Sequence, residues 1–158
     1  MWLKTLPTRR APGACCLEIT ITAFLMCVFS VVGLDTTLII LGMSLNDAAC
    51  RDAARAAAKQ SSADKAIQAA QSQLRVHCAD GYWITQPVLE SCSAPNFVFN
   101  DFGNHPPPNT SPYVTVTTTI TIKCPAPIVF FGADFVKDGA ITYSRRYTYP
   151  IIKVKFYG

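Results

Sequence analysis

With 158 residues the chain has room for one small domain and an anchor, but not for two full domains. Half of its residues are hydrophobic and only 15% are charged, a bias concentrated between residues 17 and 43. The net charge of +4 is equally local: Lys4, Arg9 and Arg10 supply three, leaving 11 basic against 10 acidic residues elsewhere. The folded part therefore has no basic face of the kind nucleic acid requires, and that partner class is excluded.

Residues 1–13 read as a basic leader ending in Pro12-Gly13. From Leu17 to Leu34 run 18 residues with a single charge, Glu18, and the apolar character resumes at Leu38–Met43. A span needs roughly 20 apolar residues, and Leu17–Met43 amounts to about 40 Å of helix. A transmembrane helix is thus expected over residues 14–43. Basic residues precede it and no cluster follows, which places the N-terminus in the cytoplasm and the remainder outside. A cleaved signal peptide fits less well, because the apolar run is too long and lacks a small-x-small site at its end.

An extracytoplasmic helical segment is expected over residues 44–76. SLNDAACRDAARAAAKQ is rich in alanine, the best helix former, and predicts one helix from about Cys16 to Lys59, roughly 65 Å long. Leu41, Leu45, Ala48, Ala49, Asp52, Ala53, Ala56 and Ala57 mark a nearly small-residue stripe along it. On another face, Asp47 attracts Arg51 four positions on, while Arg51 and Arg55 read as solvated charges. SSAD at 61–64 then predicts a second helix, capped by Ser61 with Asp64 three residues on, and running to about Arg75.

Residues 77–158 read as an antiparallel β domain, giving an α+β fold with three to five strands. NFVFNDF, YVTVTTTITIK, AITYSRRYTY and IIKVKFY alternate and are rich in β-branched and aromatic residues. In 113–123, Tyr113, Thr115, Thr117, Thr119, Thr121 and Lys123 share one side, opposite Val114, Val116, Ile120 and Ile122. That predicts a half-buried strand with one wet face. GNHPPPNTSP is a loop stiffened by prolines. The apolar residues of CPAPIVFFGADFVKDG are candidates to dock on the membrane or the long helix, and Pro150 marks an edge or bulge.

The chemistry-bearing residues are sparse. Cys15, Cys16 and Cys27 lie in or beside the span, while Cys50, Cys78, Cys92 and Cys124 lie outside it, where an oxidising compartment would permit disulfides. Four cysteines allow three connectivities, and a Cys78–Cys92 bridge, which closes a short loop, is expected first. His77 and His105 have neither a nucleophile motif nor metal spacing, and there is no phosphate loop. The sequence therefore predicts no catalytic set, no metal and no cofactor.

Gly13 followed five residues later by Glu18, with arginines upstream and an apolar helix downstream, resembles the type IV prepilin processing site. Extended through RRAPGACCLEITITAFLMCVFSVVGLDTTLIILGMSLNDAACRDAARAAA, the stretch resembles the TadE/TadG-like family of pseudopilins from tight-adherence (Flp) pilus assembly. The likeness covers about residues 9–60, with Gly33 and Asp35 as its mid-helix glycine and aspartate. One residue departs from the pattern: Ile19 stands where the family has an aromatic. The resemblance implies cleavage between Gly13 and Ala14 by a prepilin peptidase, and a bacterial inner-membrane location. It also implies partners among other pilin-like subunits and the assembly machinery, with Glu18 and Asp35 serving helix packing or registry. The alternative is a membrane-tethered binding module, an adhesin or sensor without a pilus role.

Overall fold

The computed structural model describes residues 12–104, 107–125, 129–130, 133–134 and 139–151. The fold is α+β: a long N-terminal helix, a short second helix and a small antiparallel sheet. Helix α1 runs unbroken over Pro12–Ala58, with its proline in the first turn, where a missing N–H costs nothing. It starts slightly before the expected Cys16 and passes residue 43 without a break.

Helix α2, Ala63–Val76, buries Ala66, Ala70 and Leu74 at helical spacing against α1. The expected Ser61 cap is not what starts it. Ser62 precedes the first turn and its side chain makes no capping bond. Packing of the alanine face sets the start instead. At the other end, Gln86 Nε2 donates to the Leu74 carbonyl at 2.7 Å and the His77 carbonyl at 2.5 Å. This satisfies two of the orphan carbonyls every helix terminus leaves.

Among the described residues six strands follow: β1 Val88–Leu89, β2 Phe97–Asn100, β3 Tyr113–Lys123, β4 Val129–Phe130, β5 Ala133–Asp134 and β6 Ala140–Pro150. Strand β3 is central. Its whole length pairs antiparallel with β6, from Tyr113 opposite Pro150 to Lys123 opposite Ala140. Its other edge is covered in pieces, by β2 at Tyr113–Val116, β1 at Thr118–Thr119 and a bridge from Ile84 to Ile122. These pieces are in effect one strand interrupted by an excursion over residues 90–96. Strands β4 and β5 form a separate two-stranded hairpin. Pro150 closes β6, which pairs only with β3 among the described residues, as suits an edge strand. Of IIKVKFY, only Ile151 lies within the described residues.

One face of β3 lies on α1. Val114, Val116, Ile120 and Ile122 are buried there, each contributing about 1.5–3 kcal/mol of transfer free energy. The opposite face carries hydroxyl pairs between Thr115 and Thr148, Thr119 and Ser144, and Thr121 and Thr142. Cross-strand pairs of that kind contribute about 0.2–1 kcal/mol each, so the apolar face decides the docking. The expectation of one wet face needs correction at mid-strand, where Thr115 and Thr117 are buried. Thr117 N–H donates to the Asn96 carbonyl, and Arg146, opposite Thr117, donates to the Pro95 carbonyl. The excursion thus folds over that face.

The stripe of α1 that packs inward is rotated from the expected one. Gly42, Asn46, Ala49, Cys50, Ala53, Ala54, Ala57 and Ala58 are buried, whereas Leu41 and Ala48 are exposed. Two neighbours, the sheet and α2, share the helix surface, and polar Asn46 and Cys50 face the sheet because β3 and β6 offer them acceptors. Gly42 is a point of close approach: a Cβ there would stand 2.6 Å from both Cγ1 and Cδ1 of Ile122. Gly42→Ala is therefore expected to destabilise the detergent-solubilised protein by about 1–3 kcal/mol in a denaturant titration. Ile122→Val in the same chain should recover part of the loss. An unchanged midpoint for Gly42→Ala would contradict this contact.

Candidate functional site

The region of interest is α1 itself, in two halves of opposite character. From Cys15 to Val31 every residue is exposed, including Phe24 at 66% and Phe29 at 67%. A soluble core helix could not leave these rings bare. Among the described residues, one helix, Cys15–Ala58, is long and apolar enough to cross a membrane. Its hydroxyls suit that setting. Thr20, Thr22, Ser30, Thr36 and Thr37 each donate to the carbonyl four residues back, at 2.7–2.9 Å. In hydrocarbon an unmet polar group costs several kcal/mol, and these five are met within the helix.

Gly13 and Ala14 lie in the first turn of α1, and Glu18 follows one turn later on the exposed part. Asp35 is 17 positions further on, about 25 Å along the axis, so the structure does not bring the two carboxylates together. The environments also differ completely. Asp35 is 0% exposed, and neither of its oxygens has a hydrogen-bond partner among the described residues. It faces the chain's own body, near Cys124, whose thiol is pushed up first by burial and then by the Asp35 charge.

Below Asp35 the helix is stitched to the sheet by polar contacts absent from the sequence reading. The inner face of β3 reads Val, Val, Thr, Ile, Ile, and its exception, Thr118, meets the helix's exception, Asn46. Thr118 Oγ1 donates to Asn46 Oδ1 at 2.8 Å, while Asn46 Nδ2 donates to the Tyr143 carbonyl at 3.3 Å. The buried Cys50 thiol lies 3.4 Å from the Val116 carbonyl and 3.3 Å from that of Arg145.

All seven cysteines are free, which corrects the disulfide expectation. Cys50 is committed to sheet carbonyls, and Cys124 is buried by Asp35. Cys78 and Cys92, the first pairing expected, are both exposed, and the Cys92 sulfur instead accepts from Gln71 Nε2 at 3.6 Å. His77 turns to α1, with Nε2 3.2 Å from Asp52 Oδ2 but without hydrogen-bond geometry. No group of three metal-ligating side chains occurs among the described residues, and His105 lies outside them.

Arg51 and Arg55 are not merely solvated. Arg51 bonds Asp47, and Arg145 Nε reaches the same carboxylate at 2.8 Å. Arg55 Nε donates to Tyr149 Oη at 2.7 Å, and both guanidiniums stand 5.5 Å from the rings of Tyr147 and Tyr149. The signal was present in the sequence: Asp47, Arg51 and Arg55 recur every four residues, and Arg145, Tyr147 and Tyr149 every two. Helix and strand periods match where the two run side by side.

No family model, curated protein or solved structure matches the chain. The likeness to the TadE/TadG-like pseudopilins therefore rests on the residues that carry it.

Burial pushes the Asp47 carboxyl up, but hydrogen bonds from Arg145, Arg51 and Tyr147 outweigh this and hold it below its ordinary 3.8. A carboxyl depressed by folding stabilises above its unfolded pKa, and the contribution disappears as pH falls through the folded value. Stability is thus expected to drop below about pH 4. In Asp47→Asn this component should vanish from a pH series of melting curves; identical acid profiles would contradict the assignment.

Proposed function

We propose that the chain is a membrane-anchored pseudopilin of the TadE/TadG-like kind, assisting assembly of an Flp-type pilus or a related secretion apparatus. It sits in a bacterial inner membrane with its N-terminus in the cytoplasm and its α+β body outside. It works by packing, not by catalysis. The observation that carries this reading is that one uninterrupted helix is bare and apolar over its first half and is the spine of a folded body over its second. Such a subunit is stored in the bilayer by the same element through which it packs against neighbours. In the bare half, Ala23, Cys27, Ser30 and Gly33 keep the helix surface thin, and a Cβ on Gly33 would meet nothing within 4 Å.

Glu18 then serves registry. A carboxylate near the cytoplasmic border is costly unless paired, and the amino terminus exposed by cleavage after Gly13 supplies a cation one turn away or on a neighbouring subunit. The test is the mass of the mature chain, expected to begin at Ala14. A Gly13 substitution that leaves the mass unchanged would sink the cleavage step. Glu18→Ala should lower pilus yield more than membrane insertion, and equal yield would remove the registry role.

Asp35 gives a second handle. An unpaired buried carboxylate weakens the isolated fold. Asp35→Leu is expected to raise the stability of the solubilised protein by about 1–3 kcal/mol while lowering assembly. A variant that assembles normally would reduce Asp35 to a tolerated defect.

The tethered-module alternative has one feature in its favour, a groove of about 340 Å³ between α2 and β1 lined by Gln71, Arg75, Gln86 and Leu89. Deleting the pilus machinery separates the two readings, since a tethered receptor would keep its function.

A further inference from the structure

We infer that the end of the body nearest the bare helix rests on the bilayer surface through an aromatic and lysine anchor made by Tyr82, Trp83 and Lys123. This rests on the reading of α1 as a membrane span.

Position comes first. Strand β3 runs antiparallel to α1, as successive contacts show. Cys50 meets Val116, Asn46 meets Thr118, and Gly42 abuts Ile122. One rung further along, Asp35 lies by Cys124. Moving along α1 toward its bare half is therefore moving toward the C-terminal end of β3, where Lys123 and Cys124 sit. The Lys123 N–H donates to the Trp83 carbonyl at 2.7 Å, so the 80–84 turn shares that end. Trp83 of the turn and Leu38 and Ile39 of α1 pack against one buried cluster, Ile84, Ile120 and Ile122. Those helix residues lie about 6–8 Å beyond Leu34, the last of the 18-residue apolar run. The polar interface on each side of a hydrocarbon core is about 5–7 Å deep. The turn is thus at headgroup level. On the far side of α1 at the same level, Ile40 is 62% exposed, as befits a depth that is not bulk water.

Chemistry comes second. Tyr and Trp, with an apolar body and a polar tip, and Lys, with a long apolar stem, are the side chains that favour this boundary. Here the three touch. Tyr82 and Trp83 stack edge to face at 4.7 Å, and Lys123 Nζ stands 6.0 Å from the Tyr82 ring centre. Tyr82 is 65% exposed, so beyond Trp83 and Lys123 much of this large ring stays open.

The turn that presents it is rigid. Asp80 accepts from the Ile84 N–H at 2.8 Å and the Trp83 N–H at 3.2 Å, and Gly81, at φ +73°, donates back to the Ile84 carbonyl. A loop braced this way fixes the ring outward. Its partner is the phospholipid interface, with rings at the carbonyl level and the ammonium at phosphate. The consequence is a fixed depth and tilt of the body, because α1 alone leaves rotation about its axis free.

The experiment uses the full chain with Trp2→Phe, which leaves Trp83 as the single tryptophan, reconstituted in phosphatidylcholine vesicles. Some vesicles carry lipids brominated near the headgroup, others near the chain terminus, and alkaline extraction is run on each preparation. The expected result is a membrane-retained protein whose Trp83 emission is quenched by shallow bromines, more weakly by deep ones, and little by aqueous iodide. Tyr82→Ser should reduce the shallow quenching without changing the far-ultraviolet circular dichroism. Retention with iodide quenching and no bromolipid quenching would overturn the anchor and leave the span intact. Extraction of the protein by alkali would overturn both.

Discussion

The near-contact of α1 with β3 at Gly42 and Asn46 governs where everything else in the body can lie. A helix carrying ordinary side chains sits about 10 Å from a sheet. Here glycine, asparagine, alanine and cysteine on the helix let the strand's branched side chains press on the backbone itself. Two polar exceptions, Asn46 and Thr118, then fix the axial position, since a shift of one residue along β3 would turn Thr118 outward and strand the Asn46 amide. Once β3 is placed, its eleven-residue register places β6, and the interrupted edge places the 80–100 segment. The α1–α2 contact uses the remaining alanines.

That contact has a functional corollary. Because the docked half of α1 continues into the bare half without a break, the orientation of the body is inherited directly from the helix. Under the proposed pseudopilin reading this property matters, since a force or a neighbour acting on the membrane helix would move the folded surface with it. Asp35 stands at the changeover between the two halves. It is the first fully buried residue below the bare run, and its carboxyl oxygens have no hydrogen-bonding partner among the described residues. A sequence optimised for the stability of the isolated chain would not keep an unsatisfied carboxyl group there.

Much of this was legible in the sequence, for identifiable reasons. The long helix was, because hydropathy and alanine content persist through Pro12–Ala58. The central strand was, because its Val and Ile alternate with Thr at every inner position but Thr118. The register of α1 on the sheet was not. Small-residue stripes look alike on several faces of an alanine-rich helix, and only the partner selects one. The cap of α2 failed because Ser61, Ser62 and Asp64 offer nearly equal starts, and packing of Ala66 and Ala70 decides between them. Cysteine spacing misled, since the shortest loop carries no information about which thiols the fold commits elsewhere. Asp47, Arg51 and Arg55 were noticed, but their tyrosine and arginine partners lie nearly a hundred residues away. Gly13 and Glu18 both lie on α1, the long helix that the sequence predicts.

Residue-resolved hydrogen exchange on the full chain in lipid nanodiscs tests most directly whether one rigid helix is both anchor and spine. The account predicts slow exchange running without interruption from Leu17 through Ala58, across the Leu34–Leu38 changeover. A band of fast-exchanging amides at that changeover, separating a protected membrane piece from a protected body, would contradict it.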